Sequence, residues 1–285
     1  MTAPSYDDVY QYATLVQRVS QEAKEQFRLS VDNIDFDDWS QAADDLRTVV
    51  YSIVDEYGLA SSELGAQWYE YCKELADGRV STAIVGQTSR YSVESDVNAV
   101  IDKLFNGEID IEELINQLSG VVVDQTQKQA RDAILTNLDA DIKAAFDNGD
   151  YSKADSMGYA RVTVGDSCAF CVMLASRGFV YRSKKTALRS QWGNKYHPNC
   201  NCVAVPFHEA HTIPGYGDKL AEYDRMYRDA DNLRRSGDVP EELQKSIDAA
   251  KAEHMARYKA GETNEPWRSF NEITMIMRYQ NEGLK

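Results

Sequence analysis

GDSCAFC (residues 165–171) and KYHPNCNC (residues 195–202) hold four of the chain's five cysteines and one of its four histidines. Cys168 and Cys171 are spaced C-x2-C; His197, Cys200 and Cys202 follow as H-x2-C-x-C after 25 intervening residues. A tight turn across C-x2-C aims both sulfurs at one point. Structural zinc takes four ligands, commonly four cysteines or three cysteines and a histidine. Five candidates for four places leave one spare. Cys168 and Cys171 are the firm pair. His197 with either Cys200 or Cys202 completes a mixed site, which Pro198 favours by fixing the turn after the histidine. Cys200 with Cys202 completes an all-cysteine site with His197 as an outer donor.

The surroundings fit a structural zinc. Between Arg161 and Cys202 stand seven basic residues (Arg161, Arg177, Arg182, Lys184, Lys185, Arg189 and Lys195) against one acid, Asp166. That segment is +6 in a chain of net charge −15, which leaves −21 for the rest. Nearby cations favour thiolates. A short segment with few large apolar side chains also gains folding energy from a metal. The rival readings each need something more. Disulfides need an oxidising compartment. A thioredoxin-like pair needs a βαβ context. A catalytic zinc needs an open position and a general base, for which Asp166 is the candidate. His208, His211 and His254 read as surface or packing residues, and Cys72 as an ordinary buried thiol.

Upstream of the cluster the chain reads as helix after helix. Val9, Tyr12, Ala13, Val16, Ala23 and Phe27 form one apolar stripe at helical spacing. Phe36 to Tyr57 carry a second, with a stop expected at Gly58. Leu64 to Leu75 carry a third, ended by Gly78. A loop is expected over 80–89. Val93 to Leu104 precede Gly107, and two further runs, Leu114–Val122 and Ala130–Phe146, lead to Asn148-Gly149. Short connections favour antiparallel neighbours in a bundle. From Tyr159 the period changes: ARVTV, GFVYR and CVAVP read as strands. Past Pro214, helical spacing returns in Leu220, Tyr223, Tyr227, Ala230 and Leu233. Pro240 and Pro266 open two more helices, the last with Trp267, Phe270, Ile273 and Met277 on one side. The expected class is mainly α: a helical region over 1–150, a small zinc-stapled α/β module over 151–212 and C-terminal helices over 213–285.

Charge and composition exclude several functions. A net charge of −15 argues against bulk nucleic-acid binding. No apolar run reaches about 18 residues, so no membrane span is expected. MTAPSYDDVYQY has neither the basic nor the apolar part of a secretory signal, so a reducing cytosol is the expected place of folding.

GDSCAFCVMLASRGFVY (165–181) with YHPNCNCVAVP (196–206) resembles the core of the MuF-like minor head proteins of tailed bacteriophages, whose pattern is C-x2-C followed by H-x2-C-x-C. YGLASSELGAQWYEYCKELA (57–76) resembles their helical region. The likeness covers residues 35–80 and 160–206. It implies a minor virion protein acting in head morphogenesis, placed in the head interior or near the portal and assembled in the host cytoplasm. Its partners would be the portal or major capsid protein, with the basic 161–202 segment as a candidate contact for packaged DNA. No GxSxG, HExxH or Gly-rich phosphate loop is present, and the expectation is a protein without enzymatic activity. The rival class is a zinc-supported nuclease or toxin effector delivered with the DNA, with Arg161, Asp166, Arg189 and His197 as its polar groups. One acid in that segment is a poor supply for such a site. A host-directed regulator injected with the DNA is a third reading.

Overall fold

The computed structural model describes residues 3–78, 82–86, 90–165, 167–181, 202–208, 212–261, 263 and 266–281. Helix α1 (Tyr6–Val31) starts in a capping box. The Asp8 N–H donates to Ser5 Oγ at 3.2 Å and the Ser5 N–H donates to the Asp8 carboxylate at 2.8 Å. The stripe expected on α1 is its buried face.

Helix α2 (Trp39–Asp77) does not stop at Gly58 but runs on to Gly78, whose φ of 70° makes the left-handed cap. The two expected stripes are one helix. Its middle, Gly58, Ser61, Ser62, Gly65 and Ala66, is a buried face of small residues. There α4 (Ile111–Asp147) crosses so closely that a Cβ on Gly65 would lie 2.2 Å from the Ala130 carbonyl oxygen. Gly65 serves a helix crossing rather than a helix end. Two expected runs merge in α4 as well. The polar stretch between them, Gln125 to Gln129, is buried for four of its five residues. Gln125 donates to Asp96 at 2.6 Å, and Gln127 to Ser20 at 3.2 Å. Helix α3 (Arg90–Phe105) completes this end of the bundle, and Gly107 follows it at φ 71°.

That polar belt divides two apolar clusters. One joins the end of α1, the start of α2, α3 and the start of α4 through Phe27, Leu46, Val50, Val97, Leu114 and Leu118. The other begins with Tyr12 stacked on Trp68 at 4.8 Å and takes in Tyr69, Ile134 and Leu138. It continues into the rest of the chain.

After α5 (Tyr151–Ser156), strand β1 (Gly158–Thr163) pairs antiparallel with β2 (Cys202–Phe207), from Gly158 opposite Phe207 to Thr163 opposite Cys202. Tyr159 Oη lies 3.0 Å from the Leu135 carbonyl and 2.9 Å from Asp139, sharing its one proton between these two acceptors, which fastens the hairpin to α4. Of the expected GFVYR strand, only Tyr181 pairs among the described residues, as a single bridge to Tyr159. Helix α6 (Ala169–Ala175) packs on β1.

Helices α7 (Gly217–Ser236), α8 (Glu241–Lys259) and α9 (Ser269–Gln280) follow. The last begins three residues beyond Pro266, so Trp267 precedes it and instead donates Nε1–H to Glu272 at 3.1 Å. Ile273, Ile276 and Met277 of α9 join the second cluster, as do Tyr223 and Ala230 of α7. One apolar cluster thus draws on residues from before 150, from the cysteine-bearing stretch and from beyond 213. Phe146, read as a stripe residue, is 47% exposed with its ring near Tyr151, while Ala145 just before it is the buried residue of this turn.

Candidate metal centre

Cys168 is the N-cap of α6, and its sulfur accepts the Cys171 N–H at 3.3 Å. This is the tight turn that C-x2-C spacing calls for, and both thiols are buried. Cys202 is buried at the start of β2, opposite Thr163. Arg161, two residues before Thr163, therefore shares the strand face toward Cys202. Its guanidinium Nη2 lies 3.9 Å from Cys171 Sγ and its Cζ 5.9 Å from the Phe170 ring centroid.

Arg161 is only 2% exposed. A buried cation is costly unless an anion or several acceptors compensate it. A thiolate at Cys171 meets that need, and so does a metal–thiolate group of net negative charge. This is the observation that fits a metal here. Cys168 and Cys171 would supply two sulfurs from one turn, with a backbone N–H and a guanidinium to stabilise their charge. The same burial takes Arg161 out of the basic 161–202 segment's candidate contact with DNA. Of the seven cations in that segment, only Arg177 is both described and exposed.

His197 and Cys200 lie outside the described residues, as do Asp166, Arg182, Lys184, Lys185, Arg189 and Lys195. Among the described residues no three His, Cys, Asp or Glu side chains converge closely enough to hold a metal. No disulfide joins any two of the described cysteines. Cys72 is buried in the second cluster, and burial pushes its thiol well above the usual range.

Two side-chain networks around this centre have no signal in the sequence. At the end of β1, Thr163 Oγ1 stands 3.2 Å from Tyr216 Oη and 2.8 Å from Tyr223 Oη. Tyr6 Oη donates to the Thr163 carbonyl at 3.3 Å and Lys219 Nζ donates to Tyr6 Oη at 3.1 Å. The start of α1 and the start of α7 are thereby tied to the strand end beside the cysteines. At the other end of the hairpin, Asp141 of α4 accepts hydrogen bonds from Tyr69 and from Lys73, the latter at 2.6 Å. His208 Nε2 stands 3.6 Å from the same carboxylate. His208 is buried, a packing residue rather than a surface one. Asp141 lies 67 to 72 positions from these three partners, so no local pattern announces them.

The chain is therefore a helical bundle with a cysteine-bearing hairpin clamped between its N-terminal and C-terminal helices. The family model described as VG15 protein matches residues 3–230, and the chain belongs to that family. This is a family of viral gene products, and the chain is a phage protein. No curated protein and no solved structure matches it significantly. Among the described residues, no helix is long and apolar enough to cross a membrane.

Proposed function

We propose that this phage protein is a minor structural component of a tailed-phage head, working in head morphogenesis and contacting the portal or the inner face of the major capsid protein. Family membership across residues 3–230 carries this reading. The MuF-like resemblance falls within that stretch. In this reading the protein is a scaffold for contacts and has no enzymatic activity of its own. Zinc is a structural clip, held by Cys168 and Cys171 with ligands from among His197, Cys200 and Cys202. It would fasten the segment after α6 onto a hairpin that already packs into the bundle.

The test is quantitative mass spectrometry of purified proheads and virions, with co-purification of the tagged protein and the portal. A fixed, low copy number and recovery with the portal are expected. Absence from both particles, with no association to any head component, would sink the structural role. An in-gel nuclease assay showing metal-dependent cleavage would restore the effector reading. Elemental analysis of protein expressed without added metal should find about one zinc per chain. Metal-free, folded protein with paired cysteines would replace the clip by disulfides.

A further inference from the structure

The last turn of α2 (residues 74–78), α5 with its cap Asp150, and His208 line a cleft of about 820 Å³, within the size range of ligand sites. Hydrogen bonds fix its walls. Asp150 caps α5 by accepting the Lys153 N–H at 3.1 Å. Ser156 Oγ lies 2.7 Å from the His208 carbonyl, which holds α5 against the end of β2. The α2 wall carries Glu74 and Asp77 at the C-terminal, negative end of a 39-residue helix. The α5 wall carries Asp150, and Lys153 is the one lysine or arginine among the described lining residues.

The His208 side chain is only 8% exposed, and neither ring nitrogen makes a hydrogen bond among the described residues. Nε2 is turned toward Asp141 at 3.6 Å, which favours the proton of the neutral ring on that side. Nδ1 is then a buried lone pair without a donor. An unmatched buried acceptor is costly, so this wall calls for a donor. An anion would meet carboxylates on both walls. Among the described residues no three His, Cys, Asp or Glu side chains gather closely enough for a metal, and these acids are spread along two helices instead. An extended cation with several N–H donors fits. A guanidinium is flat, carries five donors, pairs with carboxylates through two bonds at once and stacks on aromatic rings. The exposed rings of Phe146 and Tyr151 stand 5.9 Å apart, and Tyr151 falls between two lining residues, Asp150 and Ser152.

We propose that this cleft binds an arginine-bearing segment of a partner protein. A guanidinium would lie between the carboxylates of α2 and α5 and bring an N–H to His208 Nδ1. The sequence points to the basic 161–202 segment as a contact surface; this site is acidic and takes the opposite kind of partner. It follows from the lining alone and does not depend on the head-assembly reading.

NMR of the full chain tests this through the ring proton that lies between the two nitrogens of each histidine. The chain has 4 histidines, so the signals are few, and His208→Gln assigns the one that matters. The probe is a blocked pentapeptide with two arginines; its citrulline counterpart keeps the shape and removes the charge. The arginine peptide should shift the His208 signal saturably below about 10 mM, and the citrulline peptide should not. Asp77→Asn with Asp150→Asn should weaken binding about tenfold, while asparagine still caps α5. Asp35→Asn with Asp37→Asn removes the same charge at the opposite end of α2 and should change binding by less than about twofold, since salt screens charges that far off. No shift at His208, an equal response to the citrulline peptide, or equal weakening by both pairs would each overturn the proposal. The last would reduce the effect to the general pull of a −15 chain on any cation. Spermidine shifting the signal where the arginine peptide does not would overturn the peptide in favour of a free polyamine.

Discussion

Asp141 draws hydrogen bonds from several side chains onto one carboxylate. Burial alone would raise its pKa, but the nearby His208 ring and the hydrogen bonds from Lys73 and Tyr69 outweigh it and hold the group far below the usual carboxylate range. The folded-state value is depressed, so the stabilisation is present above the unfolded-state pKa, about 4. It is lost as the pH falls below that. Asp141→Asn should cost about 2 kcal/mol at neutral pH, since it leaves Lys73 without its partner in a half-buried setting. Urea unfolding of both proteins from neutral pH down to about pH 3 provides the check. The gap between the two should narrow below about pH 4, as the unfolded-state carboxylate takes up its proton while the folded one stays ionised. An equal gap at every pH would assign the loss to packing instead. The sequence offers nothing of this, because Lys73, Asp141 and His208 meet only through tertiary structure. Arg161 is one of seven cations read from the sequence as favouring thiolates, and it lies inside the fold against Cys171; charge counting along the chain cannot tell which of the seven is buried there.

Helix boundaries turn on what a glycine is for, and α2 carries both uses. Gly78 ends the helix in the left-handed region, while Gly58 and Gly65 lie within it. Local pattern treats Gly58 and Gly78 alike because a helix stop and a close crossing both ask for a missing Cβ. The stripes themselves were legible: Val9 to Phe27 on α1, Val93 to Val100 on α3 and the alternation of ARVTV all lie where periodicity puts them. The joins failed where polar or small residues are buried, as at Ser61–Gly65 and Gln125–Gln129, since hydrophobic period sees only apolar faces. Two substitutions separate the uses of glycine inside helices. At Gly65 a Cβ would lie within 3 Å of three Ala130 backbone atoms, so Gly65→Ala should lose about 2 kcal/mol despite its better helix propensity. Gly120 in α4 has nothing within 4 Å of the same atom. Gly120→Ala should therefore gain about 0.5–1 kcal/mol. Thermal melts of the two variants should move in opposite directions; a loss at both would mean that the α2–α4 crossing does not decide the sign.

At the scale of the molecule, the belt of buried polar groups in α4 separates one apolar cluster confined to the helical bundle from another that includes the cysteine turn. The proposed metal is coupled to the second alone. Cys168, Cys171 and Cys202 share that cluster with Trp68, Ile134 and Leu138 of the bundle and with Ile273 and Met277 of α9. Phe27, Leu46, Val97 and Leu118 lie in the other. Removing the metal with a chelator, or replacing Cys171 by serine, should not unfold one segment and spare everything upstream of it. The effect should reach back along α2 and α4 to the belt and stop there. Metal-binding energy is folding energy in such modules, so the loss on the cysteine side should be several kcal/mol. Amide hydrogen exchange resolves the two ends of a single helix. Amides near Val162, Val205, Ile134 and Trp68 should lose protection together, while those near Leu46, Val97 and Leu118 keep most of theirs. Uniform loss along α2 and α4 would show that the belt transmits unfolding rather than bounding it. Unchanged protection in the serine variant would remove both the metal and a Cys171 thiolate from the account of stability, leaving Arg161 compensated by its other neighbours.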